Sequence, residues 1–441
     1  MSYKISIIGG GSSTFTPQLM RLFIGSELLQ GSTICLMDID KHRLDVMTKL
    51  SNRLIEKTGS DLKIEATTDR QEALVDVDFV ITAIAVGGWR AWEKDIEIPA
   101  KYGVYMPVCD SVGPGGIMRA FRHIPVLVDM IKELEELSPK AWVFNYTNPV
   151  PTNCMAMARE AKRVKVVGLC TCSSIPGRAD YLANWAGVEP NEIIVPAPAA
   201  GINHCAAILE LKLKDGRDAF PLIRKNVKNP VIRFFLDTYN ILPYCWSHWT
   251  EFFPFLCKLE EEYKGRLQGL RMNYGIRVHD MHEQQEKIAK WEKLVKDMAA
   301  GIKDISLDVL PKGEAILVVK IMESIIENKN EIYVVNVPNR GAIENLPYDA
   351  IVEVSSVVGG YGAIPMHVGK LPEPIAAFLT NHVAAHKLTV EAALTGDKDI
   401  AYQAFVQDPQ VAAKLRPEEI KKLLEELLNA HADYLPQFFE K

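Results

Sequence analysis

The sequence lacks three features that would set it apart from ordinary enzymes of the cell interior. No run reaches the roughly 20 apolar residues that a membrane-spanning helix needs. No charged start followed by an apolar stretch and a small-residue cleavage site is present. No long basic block is available to neutralise the phosphates of a nucleic acid. We therefore expect a cytoplasmic protein with no membrane partner and no nucleic-acid partner.

Cysteine is also scarce, with 8 residues in a chain of 441. That number is too small for a disulfide framework in a protein of this length, and several cysteines lie inside apolar runs. We expect reduced thiols, most of which fill the core.

The first part of the chain alternates strand and helix patterns. Lys4 to Ile8 is a short apolar strand, residues 15–29 have helical periodicity, and Thr33 to Asp38 is a second buried strand that ends in a carboxylate. The same alternation continues through strands 78–84, 141–146 and 165–170 and helices 124–137 and 151–163. Apolar strands joined by helices predict a doubly wound parallel sheet.

Beyond about residue 200 the pattern is mixed. Strands are predicted at 206–213, 331–337 and 350–355, and helices at 284–298, at 313–328 and over most of the chain from Pro374. The length exceeds what one domain usually needs. We predict an α/β protein with an N-terminal Rossmann-like domain (residues 1–200) and a mixed α+β domain (residues 201–441) for substrate, metal and oligomer contacts.

A glycine-rich turn follows the first strand, with the residues Gly9, Gly10, Gly11 and Ser12. Glycines let a pyrophosphate approach the backbone, and the next helix supplies amide donors. The turn departs from the dinucleotide fingerprint because Thr14 occupies the third glycine position, and such turns also occur for steric reasons alone. Asp38 is placed to accept both ribose hydroxyls, which favours NAD over NADP, although it can equally cap the next helix.

Two potential metal ligands end buried strands. Cys170 closes Val-Val-Gly-Leu-Cys and His204 closes Gly-Ile-Asn-His. A thiolate and an imidazole there can hold a divalent metal beside a nicotinamide ring, which indicates redox chemistry on a sugar. For either residue alone, a place in the core is the alternative.

Five segments carry a resemblance that covers nearly the whole chain. They are 105–116 with Arg119 and Arg122, Asn145-Tyr-Thr-Asn148-Pro149, Gly168-Leu-Cys170, Gly201-Ile-Asn203-His204, and 336–347. In this order they resemble glycoside hydrolase family 4. The resemblance implies a fold like that of lactate and malate dehydrogenases, cleavage of glycosides with NAD and a divalent metal, usually manganese, and a homodimer or homotetramer.

The implied reaction differs from ordinary glycoside hydrolysis by two carboxylates. NAD takes hydride from C3 of the sugar, a base removes the C2 proton, the C1 substituent is eliminated, water adds, and the ketone is reduced again. The metal polarises the C3 oxygen and stabilises the enolate.

The resemblance also implies roles for single residues. Cys170 and His204 match the metal ligands, and this donor pair would also accept Co²⁺ or Ni²⁺. Asn148 and Asn203 match the sugar site, although an asparagine before proline is also a common turn residue. Asp110 holds the acid position, either as proton donor or as a holder of metal-bound water, and its alternative is a carboxylate at a helix N-terminus.

The family's usual base for the C2 proton is missing. In Tyr-Cys-Trp-Ser-His-Trp-Thr-Glu-Phe, residues 244–252, Trp246 stands where an aspartate is common. Tyr244 and His248 remain as candidates, and a histidine that titrates near neutrality would suit the task.

The substrate is open as well. Residues 171–173 match no signature of a known substrate group, and the arginine that often follows Gly-Gly is displaced to Arg90. A pocket of Trp89, Trp92, Trp246 and Trp249 would stack on a sugar, and Arg90, Arg119 or Arg122 would bind an anionic C6 group. These residues favour a uronide or a sulfoquinovoside, with a plain α-hexoside as the alternative.

Two other functions fit part of the pattern. An NAD-dependent 2-hydroxy-acid dehydrogenase shares the N-terminal fold, but the metal pair argues against it. An inactive protein that senses NAD and a sugar would explain the missing base.

Overall fold

A computed structural model of the protein describes residues 2–313 and 316–440. Its strands are β1 (Lys4–Ile8), β2 (Thr33–Met37), β3 (Lys63–Thr67), β4 (Phe79–Thr82), β5 (Trp142–Asn145), β6 (Lys165–Gly168), β7 (Ala199–Ile202), β8 (Cys205–Ile208), β9 (Leu242–Pro243), β10 (Arg271–Met272), β11 (Ile276–Arg277), β12 (Glu331–Pro338), β13 (Ile351–Gly359) and β14 (Gly362–Pro365). Its helices are α1 (Thr16–Ile24), α2 (Lys41–Thr58), α3 (Arg70–Leu74), α4 (Gly88–Lys101), α5 (Gly113–Leu137), α6 (Val150–Glu160), α7 (Ala179–Ala186), α8 (Phe220–Asn226), α9 (Pro230–Tyr239), α10 (Trp246–Trp249), α11 (Met281–Ala299), α12 (Val318–Ile326), α13 (Glu373–Thr395), α14 (Lys398–Gln407), α15 (Pro409–Ala412) and α16 (Pro417–Ala430).

One large sheet runs through the described part of the chain, with the order β3-β2-β1-β4-β5-β6-β12-β13-β7-β8-β9 and with β14 paired to β13. The first six strands are parallel and follow the order of a Rossmann sheet. From β12 onward the pairs are antiparallel. The predicted fold class, a Rossmann-like sheet followed by a mixed α+β part, is confirmed. Because β6 pairs with β12, both parts share this sheet, and the boundary at residue 200 stays a prediction.

The apolar strands of the parallel part form where the pattern predicts them, because each contributes a buried row to the core, whereas the strand predicted at 206–213 ends at Ile208. In β1, all residues after Lys4 are buried, and β4 and β5 are buried throughout. The sequence pattern missed β3, since Lys63–Thr67 is a polar edge strand with mostly exposed side chains. The helix predicted at 15–29 ends early, at Ile24. The helix predicted at 313–328 is observed as α12, which begins only at Val318. Residues 314 and 315 of that prediction lie outside the described residues.

The topology brings the chemically interesting loops to one edge of the sheet. The glycine turn follows β1, Asp38 follows β2, the Asn-Tyr-Thr-Asn loop follows β5, and Cys170 follows β6. All four lie at the carboxyl ends of parallel strands, where ligands bind in open α/β sheets. The turn between β7 and β8 carries His204 to the same region.

Helices α13 to α16 pack against α4, α5 and α6. A buried ion pair joins α4 to α5, since Arg122 on α5 binds Asp95 on α4 with N–O distances of 2.6 and 3.0 Å. Phe438, near the end of the described residues, is buried against Phe121. No helix in the described residues is long and apolar enough to cross a membrane.

Candidate active site

The glycine turn forms a cradle, residues 9–14, that packs so closely against neighbouring atoms that Cβ atoms at Gly9 and Gly11 would clash. Gly9 has a φ of +98°, and a Cβ atom on it would lie 2.4 Å from the carbonyl oxygen of Ala83. A Cβ on Gly11 would lie 2.7 Å from Oδ2 of Asp38. The turn therefore requires glycine at both positions, and α1 begins directly after it.

Several main-chain amides of this turn donate hydrogen bonds within the protein, and two others take no part in the network that the described residues form. Those of Gly9 and Gly10 donate to the carbonyl of Met37 at 2.9 and 2.8 Å. The amide of Ser12 donates to Gly9, and the Ser12 hydroxyl accepts from Phe15. The next amides, at residues 13 and 14, are not used in this network within the described residues. They lie just before α1, where a pyrophosphate would find free donors and the positive end of the helix dipole.

Asp38 lies beside the cradle. Its Oδ2 accepts the amide of Gly11 at 2.9 Å, and its Oδ1 accepts the amide of Asp40 at 2.9 Å. The capping alternative for Asp38 is wrong, because Asp40 is the N-cap residue of α2 and binds the amide of Arg43. The Asp38 carboxylate keeps further lone pairs for ribose hydroxyls.

The predicted metal ligands lie together. Cys170 is buried after β6, and His204 occupies the tight turn between β7 and β8 with a φ of +66°. Hydrogen bonds from the thiols of Cys172 and Cys245 hold the pKa of Cys170 well below its usual value. Burial opposes a charged imidazole, but the Cys170 thiolate raises the pKa of His204 to about 9. A thiolate and an imidazole in contact are donors that suit a divalent metal.

A serine between two predicted site residues determines the tautomer of His204. The Ser111 hydroxyl lies 2.8 Å from Oδ1 of Asp110 and 2.7 Å from Nδ1 of His204. Burial would raise the pKa of Asp110, but the neighbouring His248, His204 and Arg119 lower it, so Asp110 is ionised and can only accept. Ser111 therefore donates to Asp110 and accepts from Nδ1–H of His204, so Nε2 is the nitrogen that would lose its proton to bind a metal.

Asp110 also binds Asn148. The Nδ2 atom of Asn148 donates to Oδ2 of Asp110 at 2.8 Å. The alternative role of Asp110 at a helix end is wrong, because Val112 is the N-cap of α5 and the amide of Gly113 donates to Asp408. The structure thus joins the Asp110 loop, the loop after β5 and the His204 turn.

The two candidate bases have different surroundings. Tyr244 is buried, and its hydroxyl donates to Oε1 of Glu353 at 2.7 Å. Burial and the Glu353 carboxylate raise the pKa of Tyr244 well above its usual value. His248 is half-buried, and its ring stacks on His204 with 4.0 Å between ring centroids. Burial, with the charge of His204, lowers the pKa of His248 to about 4, so the expectation of a histidine that titrates near neutrality is wrong for His248.

Asn203, which precedes the predicted metal ligand His204, is buried. Its Nδ2 donates to Oε2 of Glu353 at 2.7 Å, and Asn336 donates to the same oxygen at 2.9 Å. Burial raises the pKa of Glu353 to about 7. These contacts support the turn that carries His204, and the predicted contact of Asn203 with substrate stays a prediction.

The predicted tryptophan pocket is wrong for Trp249 and Trp92, whereas a role for Trp246, which is 38% exposed, stays a prediction. Trp249 is fully buried in the core against Phe235 and Phe253. Trp92 stacks on both Trp89 and His279, with centroid distances of 5.5 and 4.8 Å, so its ring is occupied by protein.

The three predicted arginines have different surroundings. Arg122 is committed to its buried ion pair with Asp95 and cannot bind a substrate anion. Arg90 is exposed on the first turn of α4, and its role stays a prediction. Arg119 lies over Trp92 at 5.3 Å, and its buried Nε has no hydrogen-bond partner among the described residues. It is close enough to Asp110 to lower the pKa of that carboxyl.

The sequence interpretation missed several residues of this site. Ser111 follows a recognised aspartate, but nothing local indicates its contact with His204. Glu353 lies inside an apolar strand, where a lone buried carboxylate was the available signal. Glu251 accepts the amides of Val108 and Cys109 and so holds the loop before Asp110, and burial raises the pKa of Glu251 to about 8.

Comparison with known proteins agrees with this geometry. Residues 4–184 match the model of the family 4 glycosyl hydrolases, and residues 199–411 match the model of their C-terminal domain. An alpha-galactosidase of Bacillus subtilis (strain 168) is 33% identical over 446 residues, with 99% of each chain covered. An alpha-galacturonidase of Lachnoclostridium phytofermentans is 30% identical, with 98% of this chain and 97% of the relative covered.

Solved structures share the fold. A 6-phospho-alpha-glucosidase from gut microorganisms, in complex with NAD and Mn²⁺, has a TM-score of 0.81 at 22% identity and covers 99% of this chain and 100% of its own. Malate dehydrogenase from Plasmodium falciparum has a TM-score of 0.52 at 13% identity and covers 90% of this chain and 99% of its own. The predicted likeness to malate dehydrogenase is confirmed.

The predicted family is confirmed by the matches over the whole chain, and the simple 2-hydroxy-acid dehydrogenase is thereby overturned. The chain belongs to family 4 of the glycosyl hydrolases.

Proposed function

We propose that the protein hydrolyses glycosides with bound NAD and a divalent cation, for which Mn²⁺ is the first candidate and Co²⁺ and Ni²⁺ are alternatives. The observation that carries this proposal is the meeting of Cys170 and His204 with Asp110 beside the glycine turn. Phe15, just after that turn, packs edge-on against Tyr146 with 5.0 Å between ring centroids. Tyr146 belongs to the loop that also carries Asn148, so the two sites are neighbours.

The residues present fit both groups. Residues 9–14 with Asp38 would hold NAD, and Cys170 with Nε2 of His204 would hold the cation. When bound, NAD supplies a hydride acceptor and donor, and the cation supplies Lewis acidity. Two protein ligands leave coordination positions for sugar oxygens, as a catalytic metal site requires.

We propose His248 as the group that accepts the C2 proton. With a pKa of about 4, its imidazole is unprotonated at neutral pH and able to accept. Its ring lies against His204, and therefore beside the position of the metal. The hydroxyl of Tyr244 is already bound to Glu353, which supports a positioning role for Tyr244 instead.

We propose that Asp110 acts as an ionised carboxylate. Its lowered pKa and its bond from Ser111 favour orientation of His204 and of bound water over donation of its own proton. Asn148, held against Asp110, has its amide oxygen available for a sugar hydroxyl.

For the substrate we propose a hexoside with an anionic group at C6, such as a uronide or a sulfoquinovoside. The support is Arg119, whose guanidinium lies close to Asp110 with an unpartnered Nε. An arginine binds a carboxylate or a sulfonate through charge-assisted hydrogen bonds. A neutral α-hexoside is the second candidate, because an alpha-galactosidase is among the relatives.

An aryl-glycoside panel tests the proposal. It would contain glucosides, galactosides, glucuronides, galacturonides, 6-phosphoglucosides and sulfoquinovosides of both anomers, each with NAD, Mn²⁺ and a thiol reductant. We expect aryl release from an anionic hexoside that stops when either NAD or Mn²⁺ is omitted. Release from neutral hexosides alone would refute the anionic substrate, and no release from any member would favour an inactive sugar-binding protein.

Exchange of the C2 proton with deuterated solvent tests the base. We expect His248→Gln to lower the exchange rate by about 100-fold or more, in line with the usual contribution of general base catalysis. Tyr244→Phe should retain exchange to within about tenfold, since it removes a single supporting hydrogen bond. The reverse order of the two variants would assign the base to Tyr244.

A further inference from the structure

A cluster of thiols and imidazoles extends beyond the predicted metal pair. Cys245, just before α10, is buried, and its Sγ lies 3.3 Å from Nδ1 of His248 and 2.7 Å from Sγ of Cys172. The ligand atoms of His204, Cys245 and His248 all lie within 4.8 Å of one another. Cys170 adjoins this group, since Cys245 and His204 are among the neighbours that lower the pKa of its thiol. Three ligand atoms therefore form one group, with a fourth metal-binding side chain beside it.

This set of donors differs in chemistry from the two-ligand pair. Mn²⁺ prefers oxygen ligands, and a catalytic site needs positions that the protein leaves open. Two thiolates and two imidazoles instead form the closed tetrahedral set of structural zinc sites, and Zn²⁺ binds nitrogen and sulfur donors more tightly than Mn²⁺ does.

We propose that Cys170, His204, Cys245 and His248 together form a closed binding site for Zn²⁺ or another thiophilic divalent cation. Binding forms two metal–sulfur and two metal–nitrogen bonds and releases to solvent the protons that the ligand atoms still carry, with no change of oxidation state. The closed set fills the positions that sugar oxygens would occupy and engages His248. Zinc therefore inhibits the enzyme in competition with Mn²⁺.

The consequence for turnover rests on the proposed function, but the binding site does not. The experiment accordingly reads binding on the metal-free full-length protein, kept reduced with a phosphine so that Cys172 and Cys245 remain thiols. X-ray absorption at the zinc edge counts the ligands, and competition with a chromophoric chelator measures the affinity. We expect two sulfur and two nitrogen ligands in the native protein.

Two serine variants separate the thiols. Cys245→Ser should remove one sulfur from the zinc shell and weaken zinc binding by about 100-fold or more, since four ligands share the binding energy of such sites. Affinity for NAD should change by less than about threefold, because the glycine turn and Asp38 rather than these thiols would hold the nucleotide, and this result shows that the variant is folded. Cys172→Ser is the matched control and should retain two sulfur ligands.

Three results would overturn the proposal. They are a native zinc shell with one sulfur and several oxygens, an equal loss of zinc affinity in both variants, and zinc binding no tighter than that of Mn²⁺. A failed glycoside panel would leave each of these measurements intact, so failure of the proposed function is distinguishable from failure of this site.

Discussion

Removal of the Ser111 hydroxyl is the sharpest test of how the metal site is organised. Ser111 is 3% exposed and joins Oδ1 of Asp110 to Nδ1 of His204 with distances of 2.8 and 2.7 Å. In Ser111→Ala, Nδ1–H of His204 loses its acceptor and the carboxylate of Asp110 loses a donor. His204 is then free to rotate or, when it gives up one proton, to keep the other on Nε2, the atom that should face the metal.

The expected magnitude follows from the two lost contacts. A hydrogen bond to a charged group contributes about 1.5 to 3 kcal/mol, and loss of a residue that orients a metal ligand typically lowers metal affinity about 10- to 100-fold. The two estimates agree, because tenfold in affinity corresponds to about 1.4 kcal/mol. We expect the Kd for Mn²⁺ to rise by about 10- to 100-fold.

Titration of the metal-free protein with Mn²⁺, read by the paramagnetic resonance of the free ion, gives this Kd directly. Ser173→Ala is the matched control, because Ser173 is equally buried but its hydroxyl donates to the main-chain carbonyl of Cys170 at 2.6 Å. We expect the control to bind Mn²⁺ within about threefold of the native protein, since it loses one neutral hydrogen bond. A Kd for Ser111→Ala within that same range would refute the tautomer assignment.

Three further changes test other parts of the structure. Asp38→Asn should weaken NAD binding and reduce discrimination against NADP, each by about tenfold or more, because the carboxylate no longer binds ribose hydroxyls or repels a 2′-phosphate; fluorescence titration with both nucleotides measures this. Asp95→Asn should cost about 3 to 5 kcal/mol in chemical unfolding because it leaves buried Arg122 uncompensated, whereas Asp129→Asn at an exposed pair should cost about 1 kcal/mol or less. Burial would raise the pKa of Glu135, but hydrogen bonds from three main-chain amides lower it from 4.5 to about 2. Glu135→Gln should therefore lower the free energy of unfolding by about 1 to 2 kcal/mol at neutral pH. Since the folded-state pKa is lowered, this difference should be complete above pH 4.5 and vanish as pH falls to about 2, which thermal unfolding across that range would check.

Much of the fold and part of the site could be predicted because their signals are local. An apolar strand of five residues followed by glycines specifies its own conformation and burial, and Lys4–Ile8 forms as the pattern indicates. A polar edge strand such as Lys63–Thr67 carries no such signal, since its neighbours in the sheet define it.

The sequence by itself determined the family, the glycine turn and the pairing of Cys170 with His204, because each depends on short contiguous motifs. Only the tertiary structure decided which side chains complete the site. Ser111 reaches His204 across 93 positions, and Cys245 reaches Cys172 across 73. It also assigned Arg122 to an internal ion pair and Trp249 to the core. Contacts over such separations depend on how strands and helices pack against one another, and no local periodicity records the direction in which a side chain will finally point.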